Sequence, residues 1–236
     1  MPKVLIVLTS HAALGTTGRR TGYHWEELAV PYWAFRDAGM EVLLSTLNGG
    51  SPVADPTSLA EDQADNPPAV RRFMADAAAM IAMRNTSPVG AHRSAALAGI
   101  FLPGGHGTMW DLPRSGQLAN LVGAMFDAGK AVGAVCHGPA GLVAARRADG
   151  RPVVEGRRVN GFTDAEEEAV GLTDVMPFLL ETRLRELGGR FEGSAPFTPH
   201  AVRDGNLVTG QNPMSSARVA ELMLEAMGVA AVPKAA

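Results

Sequence analysis

Residues 3–9 (KVLIVLT) form an unbroken apolar, β-branched run, the pattern of a strand covered on both faces. Residues 41–46 (EVLLST), 97–103 (LAGIFLP) and the small apolar run 131–135 read in the same way. Between them the apolar positions switch to helical spacing. Residues 26–39 carry Leu28, Val30, Tyr32, Trp33, Phe35 and Ala38, with Pro31 expected in the first turns and Gly39 at the end. Residues 67–84 place Val70, Phe73, Met74, Ala77, Met80 and Ile81 on one face and predict a single helix. Residues 115–128 predict another, stopped by Gly129, and 140–147 a helix following the 131–135 strand. Strand, helix and strand within residues 3–46 make a βαβ unit, which requires a parallel sheet.

The second half reads as shorter pieces. A strand is predicted over 158–162 and an acidic helix over 164–170. A longer helix follows, capped by Thr173 or Asp174, with Pro177 in its first turn and Gly188-Gly189 at its end. Then come a strand over 190–194, a hairpin over 202–210 turning at Asp204-Gly205-Asn206, a helix over 215–227 and a loose tail over 228–236. Residues 10–23, 48–64 and 85–93 read as loops and connectors. The expectation is one α/β domain over 1–236, a mostly parallel central sheet flanked by helices on both faces.

Composition adds limits. With 46% apolar and 19% charged residues the chain can bury a sizeable core without disulfides or metals. A net charge of −3 with no basic stripe argues against a nucleic-acid partner. The single cysteine, Cys136, forms no internal disulfide and suits a reducing cytoplasm. The opening Met1-Pro2-Lys3-Val4 lacks a signal-peptide layout, and no apolar run nears the ~20 residues of a membrane span. A soluble cytoplasmic protein is expected.

Ligands of an open parallel sheet sit beyond the carboxyl ends of its strands. Three loops leave such ends: after Thr9, at Gly104-Gly105-His106-Gly107, and at Cys136. The stretch Ala134-Val135-Cys136-His137-Gly138 has the small-x-nucleophile-x-Gly pattern of a nucleophile elbow. A helix starting there would lower the thiol pKa from its usual ~8.5. The plainer reading of Cys136 is a buried structural cysteine, which the elbow pattern argues against. His137 is either a base or a residue that only holds the turn; its backbone N–H, with that of Gly105, is an oxyanion donor. His106 packs or binds substrate. Asp111 caps the next helix or holds its loop. Glu26 is a helix-dipole partner, whereas Glu27, just after the first sheet-edge loop, is placed to share a proton with Cys136. Asp164 reads first as a helix cap ahead of a solvated turn, and alternatively as the acid that orients His137. The six histidines show no paired metal-ligand spacing, so no metal is expected.

Taken together these stretches resemble the ThiJ/PfpI superfamily, with its class I glutamine amidotransferase-like (flavodoxin-like) fold, and within it the glyoxalase III and heat-shock chaperone branch. The resemblance is carried by Thr21-Gly22 with Glu26-Glu27 and Pro31-Tyr32, by Asp55-Pro56-Thr57-Ser58, and by Leu102 to Gly107 with Trp110-Asp111-Leu112. It continues through Val135 to Pro139, Gly161-Phe162-Thr163, Glu166-Glu167, Pro177 to Glu181 and Thr209 to Pro213. It implies cofactor-free conversion of a small aldehyde, methylglyoxal, to D-lactate. Cys136 would form the hemithioacetal, Glu27 would shuttle the proton, Gly105 and His137 would hold the oxyanion, and His137 would match the family's histidine. Asp164 matches the acid used in one subgroup; in the subgroup nearest this chain a glutamate has that role. The resemblance also implies a homodimer, and a range of activities that includes amidase, deglycase and holdase functions. Three function classes follow: a glyoxalase using Cys136 and Glu27, a cysteine amidase or peptidase needing His137 and an acid such as Asp164, and a holdase or oxidation-sensing stress protein. The Arg- and Gly-rich residues 10–20 and the acid-poor 85–97 depart from the family pattern at the mouth of the site.

Overall fold

Why the first apolar run must be a central strand is visible in its packing. In the computed structural model, which describes residues 1–229, Val4, Ile6 and Leu8 of β1 (Lys3–Leu8) face one hydrophobic layer while Leu5 and Val7 face another, and all five are fully buried. Around β1 the chain lays down α1 (Trp25–Asp37), β2 (Glu41–Thr46), α2 (Pro68–Ala75), α3 (Ala77–Arg84), β3 (Ser87–Pro88) and β4 (Gly99–Leu102). Then follow α4 (Thr108–Asp111), α5 (Gly116–Asp127), β5 (Ala131–Val135), β6 (Arg158–Val159), α6 (Asp164–Ala169) and α7 (Leu180–Glu186). The last elements are β7 (Arg190–Phe191), β8 (Ala201–Asp204), β9 (Leu207–Gly210) and α8 (Ser216–Ala226). The main sheet has the order β3-β2-β1-β4-β5-β9-β8, parallel except for the β8–β9 hairpin. Its five central strands therefore run in the doubly wound order 2-1-3-4-5, with the topological switch between β1 and β4. Helices α1, α2, α3 and α8 cover one face; α5 and α7 contribute to the layer on the other. This is the flavodoxin-like α/β architecture expected.

Several local expectations are corrected. Residues 67–84 form two helices, because Asp76 leaves the helical region (φ −85°, ψ 107°) and its carboxylate caps the Ala79 N–H. Pro31 lies in the interior of α1, so the Glu27 carbonyl has no i+4 donor. Residues 87–88 of the 85–93 connector pair with β2 as an edge strand. Residues 140–147 form no α-helix; the chain tightens into a 3₁₀ turn, Gly138–Leu142, with Ala140 N–H bonded to the His137 carbonyl. Neither Thr173 nor Asp174 caps a helix. Pro177 disfavours helical backbone at Met176, and α7 starts only at Leu180. The strands predicted over 158–162 and 190–194 shrink to β6 and β7, which pair with each other outside the main sheet. The 202–210 hairpin is present. Of the tail expected over 228–236, residues 230–236 lie outside the described residues.

The turn after β5 is possible only because nothing projects from residue 138. A Cβ there would lie 2.0 Å from the Leu102 carbonyl oxygen of β4. Gly138→Ala is therefore expected to cost about 1–3 kcal/mol of folding free energy, read from urea denaturation.

Candidate active site

Cys136 ends β5 at the carboxyl edge of the sheet. Its N–H donates to the Gly210 carbonyl (2.9 Å), and its own carbonyl accepts from Phe162 N–H (2.8 Å). Held on both sides, it adopts a left-handed backbone (φ 58°), a conformation that costs a non-glycine residue about 1–3 kcal/mol. The thiol is buried, at 4% exposure, so the elbow turns it into an enclosed site.

Three loops converge on the sulfur. After β4, Gly105 takes φ +95°, and a Cβ there would meet the Gly22 carbonyl at 2.3 Å; the loop is pressed onto residues 22–24. The Gly105 and His137 N–H groups lie close enough to Sγ to favour its thiolate form. From α1 comes Glu27, fully buried, its Oε2 accepting from Gly104 N–H at 2.6 Å and its carboxyl against the thiol. Burial pushes the Glu27 carboxyl up to about 8, against the opposing pull of the Gly104 and Cys136 hydrogen bonds. Burial and then the Glu27 charge push the thiol well above its ordinary range, opposed by the two N–H donors. Two anions are strongly disfavoured here, so at most one of the two groups ionises at a time, and ionising one keeps the other protonated. The expected lowering by a helix N-terminus is corrected: the turn that Cys136 opens is a 3₁₀ turn and no α-helix starts at it.

His137 is fully buried. Its Nδ1 lies 3.3 Å from Sγ and its Nε2 2.8 Å from Glu167 Oε2. The other Glu167 oxygen accepts from His106 Nε2 at 3.0 Å, and the two imidazoles lie 4.2 Å apart. Burial lowers the His137 pKa, and neighbouring His106 adds to this, so the ring is neutral. Burial alone would raise Glu167, but His137 and His106 outweigh it and hold the carboxyl down at about 2.

The acid beside His137 is thus Glu167, and the assignment to Asp164 is corrected. Asp164 bonds Thr182 Oγ1 at 2.5 Å. Nor is Asp164 the cap of α6. Thr163 is, in a capping box with Glu166, which leaves Glu166 and Glu167 buried where a solvated turn was expected. One turn of helix then carries Glu167 inward to His137. The run Asp164 to Glu168 holds four carboxylates and no periodicity that selects one of them. Asp111 accepts from Thr9 Oγ1 and Ser10 N–H, and so holds the first loop. His24 was not singled out by pattern, and its Nδ1 lies 3.8 Å from Glu27 Oε1.

Among the described residues one group could hold a divalent ion: His106, His137 and Glu167, whose ligand atoms lie within 4.8 Å of one another. Spacing in the sequence gives no hint of it. Both carboxylate oxygens are already engaged by the imidazoles, and an ion on His137 Nε2 would replace Glu167 as the partner of the ring that touches the thiol.

A doubly wound sheet with a strained, buried cysteine at an elbow, backed by a histidine–carboxylate pair and a buried carboxyl, defines a cysteine-centred α/β protein. The chain belongs to the DJ-1/PfpI family, whose model matches residues 20–226. It is 30% identical to Glyoxalase 3 of Candida albicans over 96% of this chain and 98% of the relative. It is likewise 30% identical to the glutathione-independent glyoxalase hsp3101 of Schizosaccharomyces pombe, over 94% and 95%. Among solved structures it is similar to glyoxalase III from Candida albicans (TM-score 0.88, 30% identity, 95% of this chain and 97% of that one). It is also similar to the 24 kDa rapid encystment protein of Francisella tularensis (TM-score 0.91, 31% identity, 96% and 99%). No helix among the described residues is long and apolar enough to cross a membrane.

Below about pH 4.5 both folded and unfolded chains hold the Glu27 proton; above it the unfolded chain releases the proton, while the folded one keeps it to about pH 8. Unfolding then releases a proton, so this group's contribution falls as pH rises through that window, by on the order of a few kcal/mol. Glu27→Gln should flatten the pH dependence of stability, measured by urea denaturation at several pH values between about 5 and 8.

Proposed function

We propose that this chain is a glutathione-independent glyoxalase that converts methylglyoxal to D-lactate, a lyase whose mechanism calls on no group beyond its own side chains and water. The observation that carries the reading is the Glu27 carboxyl buried against the Cys136 thiol. A cysteine nucleophile alone makes an acyl-transfer site; a second buried base against the sulfur is what an aldehyde-to-acid isomerisation requires. The names of the related glyoxalases support it.

In this reading Sγ attacks the aldehyde carbon, C1. Neutral His137 receives the thiol proton at Nδ1, 3.3 Å away, and Glu167 stabilises the imidazolium. The developing oxyanion meets the N–H groups of Gly105 and His137 and takes the proton back from the ring, giving a hemithioacetal. Glu27, after releasing its own proton to water, removes the hydrogen from C1 to form an enediol and returns it to C2, while the C1 hydroxyl proton moves to the C2 oxygen. The product is a thioester of a 2-hydroxy acid. Water cleaves it, with hydroxyl going to the acyl carbon and hydrogen to sulfur, which frees D-lactate. His106 holds the far oxygen of Glu167 and so positions the histidine–carboxylate pair. The reading includes a homodimer in the cytoplasm, as the resemblance implies.

A second reading, a cysteine amidase or peptidase, is favoured by the Cys136–His137–Glu167 line, which is the arrangement such hydrolases use. Glu27 separates the two. Purified protein incubated with methylglyoxal should produce D-lactate. Cys136→Ala should abolish this, Glu27→Gln and Glu167→Gln should lower kcat by about 10²–10⁴-fold, and Asp164→Asn should leave it within about twofold. D-lactate production by Cys136→Ala would overturn the proposal. Amide cleavage that survives Glu27→Gln, with no D-lactate from the wild type, selects the hydrolase.

A further inference from the structure

Two polar atoms beside the thiol are buried and have no well-formed hydrogen bond: Glu27 Oε1 and His24 Nδ1. They face each other at 3.8 Å, just beyond bonding distance. His24 is the N-cap residue of α1 and Glu27 stands three residues on, the two positions whose side chains normally satisfy each other's backbone in a capping box. Here neither does so. His24 makes no side-chain cap bond, although the position favours Ser, Thr, Asp or Asn. Glu27 turns to Gly104 N–H and the thiol instead. A helix start that forgoes its cap in order to leave an imidazole nitrogen unpaired against a carboxyl breaks a local rule at a functional place. The backbone that carries the ring is held in position, since His24 N–H donates to the Gly104 carbonyl (3.1 Å) and its carbonyl accepts from Leu28 N–H (3.2 Å), and these bonds leave the ring itself free to turn.

Exposure gives the pair a direction. The Glu27 side chain is 0% exposed and that of His24 is 23% exposed, and only Nδ1 of the ring is both buried and unpaired. We infer that His24 is the proton port of Glu27: Nδ1 takes the proton held on Oε1 while Nε2 releases one to water, a turn of the ring about Cβ–Cγ brings the Nδ1–H to solvent where its hydrogen exchanges, and after the ring turns back Nε2 takes up a solvent proton while Nδ1 hands its exchanged one to the carboxyl. The ring ends each passage neutral, no electrons move, and the sole co-reactant is water. Burial lowers the His24 pKa to about 4, Asp55 opposing and His106 and His137 adding to the fall, so the resting imidazole is uncharged and each proton it takes is passed on, not kept. His24 acts through Glu27 and never touches the substrate carbons.

This rests on the glyoxalase reading, in which Glu27 carries hydrogen from C1 to C2. While the enediol lives, that hydrogen sits on Glu27 and the port can exchange it. In D2O the C2 position of D-lactate from the wild type should therefore carry solvent deuterium, read by proton NMR or mass spectrometry. His24→Phe and His24→Gln should each reduce the deuterated fraction by at least about threefold in favour of substrate-derived hydrogen, while D-lactate still forms. Free imidazole added to His24→Gly should restore the deuterium. The fraction is a ratio within the product formed, so a partly unfolded variant does not distort it. An unchanged fraction in both His24→Phe and His24→Gln, or wild-type product whose C2 hydrogen comes wholly from C1, overturns the port. No D-lactate from the wild type overturns the glyoxalase reading itself, a different outcome.

Discussion

A carboxyl and a thiol lie together out of contact with water, and they cannot both be charged. Everything near the sulfur follows from that constraint. Burial raises both ionisations, and the nearby Gly105 and His137 N–H groups oppose it at the sulfur. The result is a pair in which ionising one member requires the other to stay neutral. On the other side of the sulfur the same low polarity works in reverse. Glu167, fixed by two imidazoles, stays ionised and steadies the charge that His137 acquires. Two carboxyls in one site thus have opposite states, set by whether the nearest partner is an acid or a base.

The fold keeps this geometry by close backbone approach. The positive φ of Cys136 is held by bonds to Gly210 on β9 and to Phe162 after β6, so the strain at one residue is borne by two neighbouring segments. Gly105 and Gly138 sit where any side chain would strike a carbonyl oxygen at 2.0–2.3 Å. These contacts bring residues 22–24, 104–105 and 136–138 into one cluster at the switch between β1 and β4, where a doubly wound sheet opens its crevice. Pro31 inside α1 frees the Glu27 carbonyl from the helix ladder at the very residue that faces the thiol.

Much of this was legible in the order of residues. The runs that became β1, β2, β4 and β5 are apolar on both faces, and a parallel sheet between helices is the structure that buries both. The lone cysteine between small residues, the histidine after it and a glutamate at the start of the first helix could be read without coordinates. The misses share a physical cause. Asp76 and Pro177 break helices by preferring backbone that apolar periodicity does not register. The turn after Cys136 looked helical from composition, but packing against β4 tightened it to 3₁₀.

What the sequence determined by itself is the layered α/β architecture and the identity of the nucleophile, because hydrophobic period and a strand-turn pattern are local properties of the chain. What only the tertiary structure decided is which charges meet. The run from Asp164 to Glu168 offers several carboxylates of equal standing, and the capping box at Thr163 chose Glu167 by rotating it towards His137. His24 carries no pattern at all; its meaning comes from a carboxyl oxygen 3.8 Å away with nothing else to bond. Ionisation in a buried site depends on distance and on water, and neither is written in the order of residues.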